Sequence, residues 1–392
     1  MITGQYHYNE EGYMEVKKIA VIGAGAMGNG IAQVGIMAGY KVAMHDVEQR
    51  FVDRGLSTIK ESLAKFVGKG KITQEQSDDM LARLTPTTDL KAAVQDADLI
   101  IEAVFEDMAV KKQIFGDIDG LAPAHAILAS NTSSMSITEI ATATKRPDKV
   151  VGMHFFNPAV LMKLVEVIYA QKSSDAAIQT VYDVAKQMKK VPVIVRKDSP
   201  GFIYNRVNAP TALLLQLILD KGSPTPAQFD AIFKGFMPMT PFELADYVGL
   251  DITMHTQEYY SKTLSKDYTP RKALVDLVKA GNLGKKTGKG IYDWSAGRPT
   301  IDTSNPTTEF DATHMVALQV NEATKLLEEG VTDSPADIDL AMANGGGGIG
   351  PFTLAKNIGY PALVQKCNEL ADKFGVSVFR PTKTMQEGKI EV

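Results

Sequence analysis

The feature that most constrains the fold is a glycine-rich turn between an apolar strand and a helix near the N-terminus. The predicted strand K-K-I-A-V-I-G spans residues 17–23 and runs into a G-x-G-x-x-G formed by Gly23, Gly25 and Gly28. A helical pattern of small and apolar residues, N-G-I-A-Q-V-G-I-M-A-G, follows. The motif alone is weak, but the order strand, glycine turn, helix makes it a dinucleotide-binding fingerprint. The chain is therefore predicted to begin with an α/β domain of the Rossmann type, a doubly wound, mostly parallel sheet.

Each glycine of this turn has a separate physical role. The first permits the tight turn, the second lets the backbone approach a pyrophosphate, and the third allows close helix–strand packing. The free N–H groups at the start of the helix favour an anion. A second strand, Y-K-V-A-M-H-D, ends at Asp46, 18 positions after Gly28, where a ribose-binding acid is expected. An acid there repels a 2′-phosphate and favours NAD over NADP, although Arg50 lies close by.

A helical hairpin is predicted to be inserted after Asp46. Residues 50–67 and 73–84 each have the pattern of an amphipathic helix, and G-K-G-K joins them. The hairpin carries lysines at positions 60, 65, 69 and 71. These could meet the phosphates of a large substrate or could form a solvated helix face, and the pattern favours neither.

Polar residues gather at the ends of the other predicted strands. Further strands are predicted over 96–106, 126–134 and 191–195, with helices over 108–115 and 175–189. In open α/β sheets, ligands bind beyond the carboxyl ends of the strands. The polar side chains at or just after such ends are Glu102, Glu106, Ser130, Asn131, Ser133 and His154.

A histidine and a glutamate flank an Asn-Pro turn. The runs V-V-G-M-H-F-F and K-L-V-E-V-I-Y predict two short buried strands, and Pro158 should turn the chain between them. Such a turn could bring Glu166 to the ring of His154. A histidine oriented by a carboxylate is a general acid/base unit. A histidine at a strand end is more often a satisfied core residue, and the polar cluster at the same edge is what favours catalysis.

The second half of the chain contains an internal repeat. Helical patterns begin near D-S-P-G-F-I-Y-N-R at 198–206, and P-F-E-L-A-D-Y-V-G at 241–249 recurs as P-F-T-L-A-K-N-I-G at 351–359. We predict two tandem copies of an all-α domain, which could pack on each other as an intrachain pseudo-dimer. The predicted boundaries are an N-terminal extension over 1–13, an NAD-binding domain over 14–198, and helical domains over 199–296 and 297–392.

Two parts of the helical half have residue types that occur in ligand-binding sites. Asn205 could brace the domain junction or face a ligand, and its counterpart in the second copy is Thr313, so that copy is expected to keep packing and lose ligand contact. The stretch L-G-K-K-T-G-K-G-I-Y-D-W at 283–294 lacks the spacing of a phosphate loop and is predicted to be structural.

Composition argues against several classes of protein. The net charge of −4 and the pI near 5.9 argue against nucleic-acid binding. The single cysteine, Cys367, cannot form an intrachain disulfide, and the six histidines show no ligand spacing, so a reducing compartment and no metal are predicted. No apolar run reaches the roughly 18 residues of a membrane span. The N-terminus lacks a secretory h-region, so a cytoplasmic location is expected.

Several motifs in order carry a resemblance to a known family. They are G-A-G-A-M-G-N-G-I-A, S-N-T-S-S, H-F-F-N-P, M-K-L-V-E-V, P-G-F-I-Y-N-R, P-F-E-L-A-D-Y-V-G-L-D and G-K-K-T-G-K-G-I-Y. Over about residues 16–294 the chain resembles the L-3-hydroxyacyl-CoA dehydrogenases, including the 3-hydroxybutyryl-CoA dehydrogenases. The part from about residue 310 resembles the repeat of longer relatives, some fused to an enoyl-CoA hydratase. No hydratase segment is seen here, so that activity is not expected.

The resemblance implies roles for individual residues. His154 would be the catalytic base and Glu166 its partner, with Ser133 and Asn205 at the substrate oxygen. The residues implied for NAD are Gly23, Gly25, Ala26, Met27, Gly28, Asp46, Glu106, Lys111, Asn131 and Ser133. Those implied for substrate are Ser62, Lys69, Ser133, Asn157 and Asn205, with Ser62 and Lys69 at the CoA portion.

The implied reaction is the NAD-dependent interconversion of (S)-3-hydroxyacyl-CoA and 3-ketoacyl-CoA by hydride transfer, with His154 as acid/base and a short acyl chain such as 3-hydroxybutyryl. One alternative is a dehydrogenase of small free 3-hydroxy acids, a class that generally uses lysine instead. Another is a non-catalytic nucleotide-binding protein on the same fold. A homodimer and an intrachain pseudo-dimer both remain open.

Overall fold

The computed structural model describes residues 14–390, so the extension predicted over 1–13 lies outside the described residues. The chain divides into two compact units. The first contains the chain up to Phe202 together with Gly330–Gly348, and the second contains Ile203–Glu329 and the chain from Ile349 onward. The domain boundaries given above stay predictions.

One eight-stranded sheet forms the centre of the first unit. The strands are β1 (Lys18–Ile22), β2 (Lys41–His45), β3 (Leu84–Thr87), β4 (Leu99–Glu102), β5 (Ile127–Ser130), β6 (Val150–Phe155), β7 (Leu164–Tyr169) and β8 (Val191–Val195). Their spatial order is β3-β2-β1-β4-β5-β6-β7-β8. The first six are parallel, β7 runs antiparallel to β6, and β8 is parallel to β7. The order of the first six is that of the doubly wound dinucleotide-binding sheet, which confirms the predicted class.

Helices surround this sheet. They are α1 (Ala26–Met37), α2 (Gln49–Gly68), α3 (Gln74–Leu81), α4 (Leu90–Val94), α5 (Met108–Leu121), α6 (Ile137–Ala141), α7 (Asp175–Gln187) and, from later in the chain, α14 (Pro335–Gly345). The predicted hairpin insertion is α2 and α3. The buried residues of α2 are Val52, Gly55, Ile59 and Leu63, a helical spacing that turns one apolar stripe toward the core.

The main local error concerns β3. The sequence pattern predicts one helix over 73–84, but α3 ends at Leu81, and an edge strand begins at Leu84. Pro86 obscured that strand, because proline cannot donate to a ladder and is tolerated only at a sheet edge. The strand predicted over 96–106 is also shorter than expected, since the polar residues after Glu102 form the turn into α5.

The second unit is helical, and its element order repeats. Its helices are α8 (Tyr204–Lys221), α9 (Pro226–Asp230), α10 (Pro241–Val248), α11 (Leu250–Thr263), α12 (Lys272–Lys279), α13 (Ala312–Glu328), α15 (Pro351–Ile358), α16 (Tyr360–Phe374) and α17 (Lys383–Glu387). The run α8, α10, α11, α12 corresponds to α13, α15, α16, α17. Both runs contribute to one apolar core, for example through Leu213 and Leu318. Arg206 of α8 is buried and pairs with Glu322 of α13 at 2.5 Å.

The glycine- and lysine-rich stretch at 283–294 has a structural role, as predicted. The carboxylate of Asp246, fully buried in α10, accepts hydrogen bonds from the backbone N–H groups of Ile291 and Tyr292 and from the Trp294 indole. A Cβ atom at Gly290 would lie 2.2 Å from an Asp246 oxygen, so this position requires glycine.

None of the helices within residues 14–390 combines the length and the apolar character that a membrane span needs.

Candidate active site

His154 and Glu166 meet across the antiparallel pair β6 and β7. The strand register makes them direct partners, and His154 Nδ1 lies 2.7 Å from Glu166 Oε2. Glu166 is fully buried and His154 is only 5% exposed. This confirms the predicted turn at Pro158 and the predicted contact. A carboxylate at Nδ1 assigns the proton to that nitrogen and orients the ring.

The other ring nitrogen of His154 remains available for chemistry. Within residues 14–390, Nε2 makes no hydrogen bond, whereas Nδ1 is held by Glu166. Two aromatic rings pack on the imidazole, Phe156 at 4.4 Å and Phe202 at 5.8 Å between centroids. The ring is therefore fixed in position, with one nitrogen able to take and return a proton.

A buried ion pair lies at the carboxyl ends of β4 and β5. Lys111 of α5 is 1% exposed, and its Nζ lies 2.7 Å from Glu102 and 3.1 Å from Glu106. Glu102 also accepts hydrogen bonds from the Val104 N–H and the Ser130 hydroxyl, at 2.8 and 2.6 Å. Glu102 therefore joins the β4–α5 turn to the end of β5.

Glu106 connects the same turn to the segment after β5. Its carboxylate accepts hydrogen bonds from the Thr132 hydroxyl and from the Ser133 N–H, at 2.5 and 3.1 Å. Burial would raise the pKa of Glu106, but the charge of Lys111 and these hydrogen bonds outweigh burial and hold the pKa below its usual value. Glu106 is thus kept anionic and fixed beside Ser133, and its predicted contact with NAD stays a prediction.

The glycine turn has the shape that a dinucleotide needs. Gly23 has φ +105°, and a Cβ there would lie 2.4 Å from the Ala103 carbonyl oxygen. A Cβ at Gly28 would lie 1.7 Å from the Gly23 carbonyl oxygen, whereas at Gly25 nothing lies within 4 Å. Gly25 is exposed and precedes the first turn of α1, so the predicted pyrophosphate position is open. These residues fit the group.

Asp46 ends β2 and is tied to the same turn. One carboxylate oxygen accepts the Ala24 N–H and the other accepts the Val47 N–H, both at 2.8 Å. Arg50, which had left room for NADP, lies 2.8 Å from Glu48 and over the ring of Phe51. In this structure the Arg50 side chain is thus directed to Glu48 and Phe51.

A cavity of about 740 Å³ lies between the glycine turn, α2 and the β6–β7 loop. Ser62 and Lys69, the predicted CoA-binding residues, both line it. Of the four lysines noted in the hairpin, Lys65 and Lys69 reach this cavity. The complete lining is Ala24, Gly25, Ala26, Asn29, Gly30, Gln33, Phe51, Arg54, Thr58, Ser62, Lys65, Phe66, Lys69, Pro158, Ala159, Val160 and Leu161.

Comparison with protein families identifies both halves of the chain. The model described as "3-hydroxyacyl-CoA dehydrogenase, NAD binding domain" matches residues 18–199. The model described as "3-hydroxyacyl-CoA dehydrogenase, C-terminal domain" matches twice, over 201–294 and 310–388. This chain belongs to the 3-hydroxyacyl-CoA dehydrogenase family. NAD is its cofactor, which agrees with the open glycine turn and Asp46.

Relatives agree with this assignment. A probable 3-hydroxybutyryl-CoA dehydrogenase from Bacillus subtilis is 43% identical over 72% of this chain and 98% of its own length. A fatty acid oxidation complex subunit alpha from Idiomarina loihiensis is 34% identical over 97% of this chain but only 56% of its own length. The crystal structure of 3-hydroxybutyryl-CoA dehydrogenase from Escherichia coli has a TM-score of 0.87 and 28% identity, covering 95% of this chain and 98% of that one.

The remaining predicted site residues of this family member lie in different places. Asn131 follows β5, and its side-chain oxygen accepts the Phe155 N–H at 2.8 Å, beside His154. Ser133 and Asn157 are exposed at the same edge of the sheet. Asn205 lies in the first turn of α8, in the second unit. Its proposed place at the substrate oxygen stays a prediction.

Sequence analysis missed some residues that shape the site. Arg54 lines the cavity, and its position on the same helix as Ser62 could have indicated this. Lys190, which contacts the β6–β7 loop, follows α7 in a lysine pair and carries no motif.

Proposed function

We propose that this protein interconverts short-chain (S)-3-hydroxyacyl-CoA and 3-ketoacyl-CoA with NAD, and that His154 is the acid/base. The observation that carries the proposal is the His154–Glu166 contact at 2.7 Å, in a sheet that also carries an open dinucleotide turn after its first strand. A structural protein on this fold has no need for a buried, oriented imidazole with one nitrogen available. The non-catalytic alternative is therefore disfavoured.

His154 takes the proton of the substrate hydroxyl at Nε2 in the oxidative direction. NAD, when bound at the glycine turn and Asp46, would supply the acceptor for the hydride that leaves C3. Glu166 stabilises the imidazolium that results, since an anion at 2.7 Å favours the charged form. In the reverse direction His154 returns the proton to the oxygen. General acid/base catalysis of this kind typically contributes about 10²–10⁴-fold to the rate.

Ser133 and Asn205 are proposed to donate hydrogen bonds to the reacting oxygen. Donors directed at an oxygen whose charge changes stabilise the transition state more than the ground state. Ser133 is supported by its fixed backbone, because the Ser133 N–H donates to Glu106 at 3.1 Å. For Asn205 the support is the resemblance to the family alone.

The cavity beside α2 favours a CoA thioester over a free acid. Three cationic residues line it, Arg54, Lys65 and Lys69, and none of its described lining residues is acidic. Within residues 14–390 these cations form no ion pair. A free 3-hydroxy acid would need one cation near the reacting carbons, whereas CoA presents several phosphates far from them. Phe51 and Phe66 on the same helix provide apolar surface. Ser62 is proposed to bind the CoA portion as well.

The test measures NADH oxidation by absorbance. We expect turnover with acetoacetyl-CoA and none with acetoacetate at the same concentration. A series of 3-ketoacyl-CoA substrates of increasing chain length is expected to show its highest kcat/KM at the four-carbon acyl group. Turnover of acetoacetate at a comparable rate would support the free-acid alternative, and no turnover of any substrate would support the non-catalytic one.

The proposal also covers the cellular location and the packing of the two helical runs. We propose a cytoplasmic location, consistent with the single buried thiol of Cys367. We also propose that the two helical runs form an intrachain pseudo-dimer, supported by their shared core and by the Arg206–Glu322 pair. Light scattering of the purified chain should then give the mass of one chain, and the mass of two chains would indicate a homodimer instead.

A further inference from the structure

The loop between β6 and β7 joins the strand of His154 to the strand of Glu166. It contains a tight turn in which the Pro158 carbonyl accepts the N–H groups of Leu161 and Met162, both at 2.9 Å. Ala159 is buried, and its Cβ would lie 3.2 Å from a Cβ added at Gly30 of α1. The turn therefore packs closely on the helix that follows the glycine motif.

The same turn forms one wall of the cavity beside α2. Four consecutive residues, 158–161, line it, and Arg54 and Lys69 of α2 line it as well. Leu161 is 67% exposed, so its apolar side chain is accessible at the cavity. A cavity lined by apolar residues of this turn and by cationic residues of α2 suits a ligand with an apolar arm and phosphates, such as acyl-CoA.

The side chain of Lys190 makes two hydrogen bonds to this turn. The Nζ of Lys190, one residue before β8, donates hydrogen bonds to the carbonyl of Ala159 and to that of Met162, the latter at 2.8 Å. No carboxylate within residues 14–390 forms an ion pair with Lys190. Burial alone lowers the pKa of Lys190 to about 8. The ammonium is thus partly desolvated and is compensated only by the two loop carbonyls.

We propose that Lys190 is a positioning residue for acyl-CoA: its ammonium fixes the turn at 158–162 so that Leu161 and its neighbours form the cavity wall. This inference rests on the proposed function. The position costs free energy, because the charge is held away from water without an anionic partner. An apolar side chain would fill the same space without that cost, but it could not donate hydrogen bonds to the carbonyls of Ala159 and Met162. The charge is therefore best explained by the loop geometry that it imposes.

The first experiment compares Lys190→Met with the wild type. We expect the KM for acetoacetyl-CoA to rise about tenfold, because methionine cannot make either of the two charge-assisted hydrogen bonds that fix the cavity wall. The KM for NADH and the kcat at saturation should stay within about twofold. The matched control is Lys41→Met, at the exposed start of β2 at the opposite end of the strands, for which all three constants should be unchanged.

The second experiment restores the ammonium chemically. Lys190→Cys should show the same defect as Lys190→Met, and alkylation of the new thiol with bromoethylamine makes a side chain of nearly lysine's length that ends in an ammonium. The only natural cysteine, Cys367, is fully buried and its pKa is raised by burial to about 12, so it should remain unmodified, as mass spectrometry can verify. The KM for acetoacetyl-CoA should return to within about twofold of the wild-type value.

The outcomes separate this inference from the proposed function. If wild-type protein oxidises NADH with acetoacetyl-CoA but Lys190→Met leaves its KM unchanged, the positioning role is wrong and the function stands. If the variant unfolds, or raises both KM values together, Lys190 serves general stability and the inference is overturned. If the wild type shows no turnover with any 3-ketoacyl-CoA, the proposed function itself fails.

Discussion

His154 and Glu166 are direct partners in the β6–β7 ladder, and their side chains meet with Nδ1 2.7 Å from Oε2. The backbone register thus sets the distance between the proposed base and its carboxylate. A slip of one residue would send Glu166 to the other face of the sheet. Because both residues are buried on regular strands, the pair is held before any substrate arrives.

The first prediction concerns this pair. Glu166→Gln should lower kcat by about 10²-fold or more, because a glutamine cannot stabilise the imidazolium and can favour the wrong tautomer. His154→Ala should lower kcat by about 10²–10⁴-fold. NADH binding, followed by fluorescence titration, should be unchanged in both variants. A near-normal kcat in His154→Ala would show that another group is the base.

The second prediction uses two glycines of one motif as a matched pair. Gly25→Ala should fold normally, because nothing lies within 4 Å of the added Cβ, but it should weaken NADH binding about tenfold or more by occupying the pyrophosphate position. Gly28→Ala should lower the thermal midpoint, since its Cβ would lie 1.7 Å from the Gly23 carbonyl oxygen. Circular dichroism and NADH titration measure the two effects. Equal NADH affinity in Gly25→Ala and wild type would contradict the proposed pyrophosphate site.

The third prediction concerns cofactor choice. Asp46→Ala should raise the KM for NADH and reduce the preference for NADH over NADPH, because the carboxylate that repels a 2′-phosphate is lost. The variant also loses the hydrogen bond to the Ala24 N–H, so its fold should be checked by circular dichroism. The measurement is the ratio of kcat/KM for the two cofactors. An unchanged ratio would remove Asp46 from the ribose site.

The sequence predicted the structure best where neighbouring residues determine a strand or a turn. Pro158 marks a turn between two short apolar runs, which predicts that the two runs pair as adjacent strands. The contact between His154 and Glu166 could therefore be predicted from the sequence. Strand β3 could not, because Pro86 hides an edge strand from any pattern based on strand propensity.

Contacts between residues far apart in the sequence could not be predicted from such local patterns. The bonds from Lys190 to Ala159 and Met162 span about 30 positions, and lysine at a helix–strand junction is ordinary on a protein surface. Glu102 was placed at a strand end, but its three bonds became visible only once β4, β5 and α5 were packed together.

The fourth prediction concerns Glu102 as a positioning residue for the NAD-binding edge. Glu102→Gln leaves Lys111 with only Glu106 as an anionic partner, so we expect a loss of about 3 kcal/mol in the free energy of unfolding. The KM for NADH should rise, because Val104 and Lys111 lose the carboxylate that holds them.

The control for Glu102 is a double variant. Glu102→Gln combined with Lys111→Met removes both buried charges, so urea unfolding should show part of the stability recovered, whereas the KM for NADH should stay raised. If the double variant recovered both properties, the cluster would be structural only.

The fifth prediction concerns pH. Burial lowers the pKa of Lys190 to about 8 in the folded protein, whereas an unfolded lysine titrates near 10.5. Between these values the unfolded chain binds more protons than the folded one, so this group makes the free energy of unfolding rise with pH from about 8 to 10.5. Lys190→Met removes the contribution. Urea unfolding at pH 7.5 and pH 10 should therefore show a smaller stability gain, or a larger loss, in Lys190→Met than in wild type. Parallel pH profiles would mean that Lys190 keeps an ordinary pKa, and its ammonium would then not be desolvated beneath the loop.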